Sequence, residues 1–392
     1  MSVPHARLSS VASIVREGVD PRRVANGTRY VGLEHISSDG DFSGAANIEA
    51  TELASTKFAF GDRHILFGKL RPYLRKVLRP TFAGICSTDI IPIAPGPDLD
   101  RDYLFHFLRT DQVIERATSM ASGANLPRIS PKHLIEFEIP LPSLDEQRRI
   151  ATILDQADAL RRCRRETLRK VEALQLSQFE TMFGDPRQNP RGWATVPFGH
   201  LLTDIQSGWS PTCLDRPAEE DEWGVLKLGA VTYGRFDDTA QKALPEGTPP
   251  RPHIEVHVGD LLFTRKNTHE LVAACALVRE TRPRLLLSDL IFRLCLADPL
   301  RSHPEYIHGL LSHPAKRAEI QNLASGAAGS MPNISKARLR TVPISLPPPE
   351  LQARFAEFVE ELESLRSRAV DHLGYLDSLF ASLQHRAFRG EL

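Results

Sequence analysis

The 392-residue sequence has few cysteines, no long apolar run and no excess charge of either sign. Its five cysteines (Cys86, Cys163, Cys213, Cys275 and Cys295) are scattered, with no CxxC pair and no metal-ligand spacing. That excludes a disulfide framework and predicts reduced thiols in a cytoplasmic protein. No apolar stretch approaches the roughly 20 residues that a membrane span needs. The opening MSVPHARLSSVASIVREG has no secretory apolar core or cleavage site. Basic and acidic residues both number 49, so the formal net charge is zero. This disfavours wholesale coating of nucleic acid. It leaves room for a local basic face, because phosphate contact depends on clustered charge.

Catalytic signatures are missing as well. There is no GxxxxGK[ST] loop, no GxGxxG turn, no GxSxG elbow and no HExxH pair. The Asn-Pro-Pro-aromatic or Asp-Pro-Pro-aromatic tetrapeptide expected of an amino-methyltransferase is absent too. His253 and His257 are four apart, but Val256 and Val258 beside them read as strand or loop. The acidic run Glu219, Glu220, Asp221 and Glu222 reads as a solvated loop. No catalytic residue, metal or cofactor is expected.

Glycine and proline are also missing from one stretch, Leu144 to Phe183. Ile150, Ile153, Ala157, Leu160, Val171 and Leu174 recur there at helical spacing, which predicts an amphipathic helix with a narrow, coiled-coil-like seam. Gly184-Asp185-Pro186 stops it. At about 1.5 Å per residue, roughly 40 residues span about 60 Å. Residues 349–388 repeat the pattern, with a seam of Phe355, Phe358, Leu362, Leu365, Ala369, His372, Leu376, Leu379 and Leu383. The offset is a constant 205 residues: Ile150 to Phe355, Leu160 to Leu365, Leu174 to Leu379, and upstream Leu134 to Leu339 and Gln147 to Gln352. The first helix is basic, with Arg148, Arg149, Arg161, Arg162, Arg164, Arg165, Arg169 and Lys170. The second begins with Glu357, Glu360, Glu361 and Glu363. Two such helices are expected to pair antiparallel.

The duplication extends to the segments before each helix. Residues 1–143 carry short β-prone runs around Tyr30, Ile65 and Ile90, and a helix predicted from Arg101 to Met120. In residues 185–348, Gly259-Asp260 echoes Gly61-Asp62, Asp289 echoes Asp89, Tyr306 echoes Tyr103, and Ser325-Gly326-Ala327 echoes Ser122-Gly123-Ala124. Here the offset drifts (Gly61 to Gly259 is 198, Asp89 to Asp289 is 200, Tyr103 to Tyr306 is 203). A frame used twice with different loops suits a protein that reads two different things at a fixed separation.

The remaining signal is basic and aromatic. Lys69, Arg71, Tyr73, Arg75 and Lys76 fall within eight residues. Arg265, Lys266 and Asn267 hold the equivalent place in the second copy. Asn125 and Arg128 follow the first Ser-Gly-Ala turn, and Asn333 follows the second. Lysine and arginine match phosphate oxygens, and arginine and asparagine also fit base edges. Two plain readings stand beside this one: a solvated basic loop, and a turn entering a strand.

Taken together, Gly61-Asp62…Ile65-Leu66-Phe67-Gly68-Lys69-Leu70-Arg71-Pro72-Tyr73, Ser87-Thr88-Asp89, Ile139-Pro140-Leu141-Pro142…Glu146-Gln147 and the ending Arg389-Gly390-Glu391-Leu392 resemble the DNA specificity subunit of type I restriction-modification systems. The resemblance spans both halves of the chain. It implies an α+β fold with two similar target-recognition domains (1–143 and 185–348), each reading half of a bipartite, asymmetric site on double-stranded DNA. It implies that the long helices (144–184 and 349–392) form an antiparallel coiled coil with pseudo-two-fold internal symmetry. They would set the site's spacing and dock methyltransferase subunits, two of them, with restriction subunits joining for cleavage. It implies no membrane partner and no catalysis by this chain. Departures from the pattern are Arg63-His64 after Gly61-Asp62, Pro347-Pro348-Pro349-Glu350-Leu351-Gln352 in place of the Glu-Gln pair, and the shorter second basic stretch. The alternative is a protein-interaction scaffold with two binding domains on a coiled-coil spacer, which the zero net charge favours and the paired basic clusters oppose.

Overall fold

A computed structural model describes residues 3–20, 24, 27–43, 55–299, 301–325 and 331–392. The chain divides into two compact units. One comprises Met1–Glu166 with Val370–Leu392, the other Thr167–Ala369. Both boundaries fall inside the long helices, so each unit owns half of each.

The first unit is mixed α and β. Ile90–Pro95 and Ile65–Gly68 are the inner strands of a four-stranded antiparallel sheet, flanked by Ala12–Ile14 and Val77–Leu78. Their apolar residues face a core that also contains Tyr103, Phe107, Leu134, Ile150, Leu154 and Phe380. A second sheet, with Lys57–Phe60 and Gly84–Cys86 inside, closes over a smaller core. The second unit follows the same plan. Ile291–Leu296 and Leu261–Thr264 are the inner strands between Leu202–Ser207 and Cys275–Leu277, over a core with Tyr306, Leu310, Phe179 and Phe355.

The helix expected from Arg101 to Met120 is two helices, Arg101–Leu108 and Asp111–Ser119. Thr110 breaks it. Its extended backbone lets Oγ1 accept from the Val113 amide at 3.3 Å and donate to the Phe107 carbonyl at 2.8 Å. In the second unit the same break falls at His313, followed by Pro314.

The long helices run Leu144–Phe183 and Pro349–Ala387. Gln147 explains why a glutamine recurs at both starts. It is fully buried. Its Nε2 donates to the carbonyls of Asp98 and Pro142 (3.0 and 2.9 Å), and its Oε1 accepts from the Asp100 amide at 2.8 Å. Gln352 does the same with Arg301, Pro347 and His303 (3.2, 2.8 and 2.9 Å). Tyr103 and Tyr306 repeat another bond, donating to the carbonyls of Pro140 and Ser345.

The expected seams need correction. Phe355, Leu362 and Ala369 are buried, but Leu365 and Leu379 are about half exposed and His372 is exposed. Val359 is buried in place of the half-buried Phe358, and Phe380 in place of Leu379. In the first helix Leu160 and Leu174 are exposed, while Leu154, Asp158, Phe179 and Phe183 are buried. Steps of three and four fit two phases that share every second position. The large rings choose between them by reaching the globular cores. Nor is the seam apolar throughout. In the first unit Arg161 donates to Asp377 (2.6 Å) and Asp158 (2.9 Å), and Arg165 to Asp377 (3.2 Å). Much of the first helix's basic charge is therefore matched by internal carboxylates. Among the described residues no helix is long and apolar enough to cross a membrane.

Candidate nucleic-acid interface

In both units the sequence-predicted residues lie where the strand Ile65–Gly68, or Leu261–Thr264, runs out of its sheet. The chain then forms a ledge with a returning hairpin. In the first unit the Lys69 amide donates to the Asp89 carbonyl (2.9 Å), the Ile129 amide to the Lys69 carbonyl (3.0 Å) and the Arg71 amide to the Pro127 carbonyl (2.7 Å). In the second, Arg265 donates to Leu290 (3.0 Å), Ile334 to Arg265 (2.8 Å) and Asn267 to Pro332 (3.4 Å). Ser122 pairs with Arg128, and Ser325 pairs with Asn333. The backbone thus places Arg265 on Lys69, Lys266 on Leu70, Asn267 on Arg71 and Asn333 on Arg128. It also corrects one equivalence: Asp89 corresponds to Leu290, and Asp289 to Thr88. Gly326 and Ala327 of the second turn lie outside the described residues.

That one-residue correction changes the electrostatics. In the first ledge Arg128 donates both Nε and Nη2 to the Asp89 carboxylate (2.9 and 3.1 Å), and Lys69 stands 3.8 Å away. The Arg128 hydrogen bonds hold the Asp89 carboxyl below its ordinary range. In the second ledge Leu290 stands in place of that carboxylate. Arg265 instead donates to the Asn333 side-chain oxygen (3.1 Å) and the Asp289 carbonyl (3.3 Å), and lies 5.2 Å from the Phe292 ring centroid. Lys336, unnoticed in the sequence, shares that ring at 5.8 Å.

The predicted residues differ in what they leave available. Pro72–Leu74 form a 3-10 turn between Arg71 and Arg75, both in the left-handed backbone region (φ 50° and 54°). The turn thrusts Arg71, Tyr73 and Leu74 into solvent. Asn125 and Leu126 are exposed beside them, and Arg71 Nη2 donates to the Asn125 carbonyl at 3.4 Å. Among the described residues Arg71 meets no carboxylate. Arg75 binds Asp111, and Lys76 donates to the Leu33 carbonyl at 2.6 Å. In the second unit Lys266 is half-buried. Asn267 is only 6% exposed. Its Nδ2 donates to Thr232 Oγ1 (3.2 Å) and its Oδ1 accepts from the Thr268 amide (2.8 Å), so this amide braces the ledge from beneath. The exposed apolar neighbours Leu74, Leu126 and Met331 were also missed. No charge or motif marks them.

The family model for the type I restriction modification DNA specificity domain matches residues 71–173. That segment includes Arg71, the 3-10 turn, the hairpin of Arg128 and the first half of the long helix. Over that segment the chain is similar to a type I restriction modification DNA specificity domain. It is related to the specificity subunits of type I restriction enzymes. The EcoEI specificity subunit of Escherichia coli is 36% identical over 189 residues, 47% of this chain and 32% of the relative. The EcoKI specificity subunit of Escherichia coli (strain K12) is 28% identical over 338 residues, 80% of this chain and 69% of the relative. The match thus spans about a third of the EcoEI subunit's length. Among solved structures, the type I restriction-modification S subunit from M. genitalium aligns with 98% of this chain and 96% of its own, at TM-score 0.59 and 14% identity. A chain of a type I R-M system structure aligns with 100% and 98%, at TM-score 0.56 and 21% identity. The α+β fold is therefore shared with specificity subunits.

Proposed function

We propose that this chain is the DNA-recognition subunit of a type I restriction-modification complex. The two ledges carry the reading. One hydrogen-bonding frame is built twice and presents different side chains each time: Lys69, Arg71, Tyr73, Asn125 and Arg128 in one unit, Arg265, Lys266 and Asn333 in the other. Each ledge addresses half of a bipartite site on double-stranded DNA. Exposed Arg71 contacts a phosphate or base edge. The clamped Arg128 and Lys69, with their carboxylate, fix the ledge's shape. The long helices form the antiparallel coiled coil that spaces the half-sites, and their outer faces dock two methyltransferase subunits. Restriction subunits join the assembly for cleavage. The chain itself performs no catalysis and works in the cytoplasm.

The protein-interaction scaffold is separated from this reading by salt. Binding of the purified chain to duplex DNA containing its site should weaken steeply with salt, and Arg71→Ala should lower the log–log salt slope by about one. Fluorescence anisotropy over a salt series measures it. Salt-independent or absent duplex binding favours the scaffold.

A further inference from the structure

The second unit holds a cavity of about 800 Å³, and two arginines stand at the matching place in the first unit. In the first unit Arg79 binds Asp155 through two nitrogens at 3.0 Å. Arg109 stands 3.7 Å from Asp158 and 4.9 Å from the Phe105 ring centroid. The strand register puts Leu277 in the second unit where Arg79 stands in the first. The tyrosine pair Tyr103 and Tyr306 puts Ser312 where Arg109 stands. The 205-residue helix register puts Glu363 on Asp158 and Arg366 on Arg161. Two guanidinium side chains are thus exchanged for a leucine and a serine, and the space remains.

The walls are not uniformly apolar. Phe179, Phe355 and Leu277 are among the lining residues. Among the polar lining residues, Arg235 donates to both oxygens of Glu363 (2.8 and 2.9 Å), and Arg279 is held by Glu305 through two bonds at 2.7 Å. Arg366 approaches the same Glu363 at 3.7 Å and makes no closer ion pair among the described residues, although Glu172 and Glu280 also line the cavity. Its burial and then Arg235 work against its charge, opposed by Glu363 and Glu172. Ser312 Oγ is buried at the wall with no hydrogen-bond partner among the described residues. A weakly paired guanidinium and an orphaned hydroxyl beside aromatic rings suit a ligand with an anionic end and an apolar body.

We propose that this cavity binds a small organic anion, with a carboxylate or phosphate on Arg366 and a ring or apolar body against Phe179, Phe355 and Leu277. The site is separate from the DNA ledges and does not rest on their reading. The test titrates the full chain with 8-anilino-1-naphthalenesulfonate, an aromatic anion whose fluorescence rises in apolar surroundings. Saturable binding is expected. Arg366→Gln, which keeps the cavity, should weaken it about tenfold or more, the loss of one charge-assisted hydrogen bond. Ser312→Arg, which supplies the first unit's plug, should abolish it. Thermal melting verifies that each variant is folded, and if Ser312→Arg does not fold, Arg366→Gln alone decides. Displacement by adenosine monophosphate but not benzoate marks a phosphate ligand, and the reverse marks a carboxylate. No saturable binding, unchanged binding in a folded Arg366→Gln, or displacement by neither competitor overturns the proposal.

Discussion

Two buried histidines in this molecule make its stability depend on pH. His106 is buried with Nε2 2.9 Å from Asp155, and His308 is buried with Nε2 3.3 Å from the Gly234 carbonyl. Burial pushes both imidazoles below their ordinary pKa, against the pull of Asp155 on His106 and of Glu305 on His308. Their folded-state values lie below the unfolded ones, so on acidification the unfolded chain takes up protons first. Stability is therefore full above about pH 6.5 and falls as pH drops through that value. Melting temperature measured from pH 8 to pH 5 should decline, and less steeply in His106→Gln or His308→Gln. A flat profile in the parent chain contradicts the assignment. Such residues show where sequence reading stops. Gln147 and Gln352 were visible as a repeat, but their three-bond anchoring was not. Asp89 was visible in a motif, while its clamp on Arg128 needed a partner 39 residues away. Asn267 looked like a base reader because its burial depends on Thr232, distant in sequence.

The first long helix ends at Phe183, before Gly184, and the second ends at Ala387, short of the expected 349–392. Their length was legible because no glycine or proline interrupts the first and only Gly374 interrupts the second. Their contact face was not. A three-four spacing cannot tell Leu365 from Arg366 or Leu379 from Phe380 without the core each one meets. The hydrophobic pattern also gave no sign of a charged stretch in the contact. Asp158 is fully buried and binds Arg161 and Arg162, each at 2.9 Å. Removing one partner of a buried ion network leaves charges without compensation. Asp158→Ala should therefore cost about 3–5 kcal/mol of unfolding free energy. Urea denaturation reads this directly, and a loss under about 1 kcal/mol, the range of exposed pairs, would show that solvent compensates these arginines.

The chain uses one module twice, its backbone frame kept and the side chains on its ledges changed. The constant 205-residue offset through the helices, against the drifting offset in the globular parts, was legible without coordinates. The sheet registers, and the ledges that depend on them, were not. On the proposed reading the helices fix the gap between half-sites and the ledges fix their identity. One heptad inserted in each long helix adds about 10 Å, which should lengthen the gap by about three base pairs and leave both half-site sequences unchanged. The decisive measurement is genome-wide methylation mapping in cells expressing this chain with its candidate methyltransferase subunit, against cells lacking it, with the heptad variant in parallel. The account predicts a new bipartite motif with a fixed gap, and a longer gap in the variant. A stable complex that writes no bipartite motif, or a gap unchanged by the insertion, would contradict it.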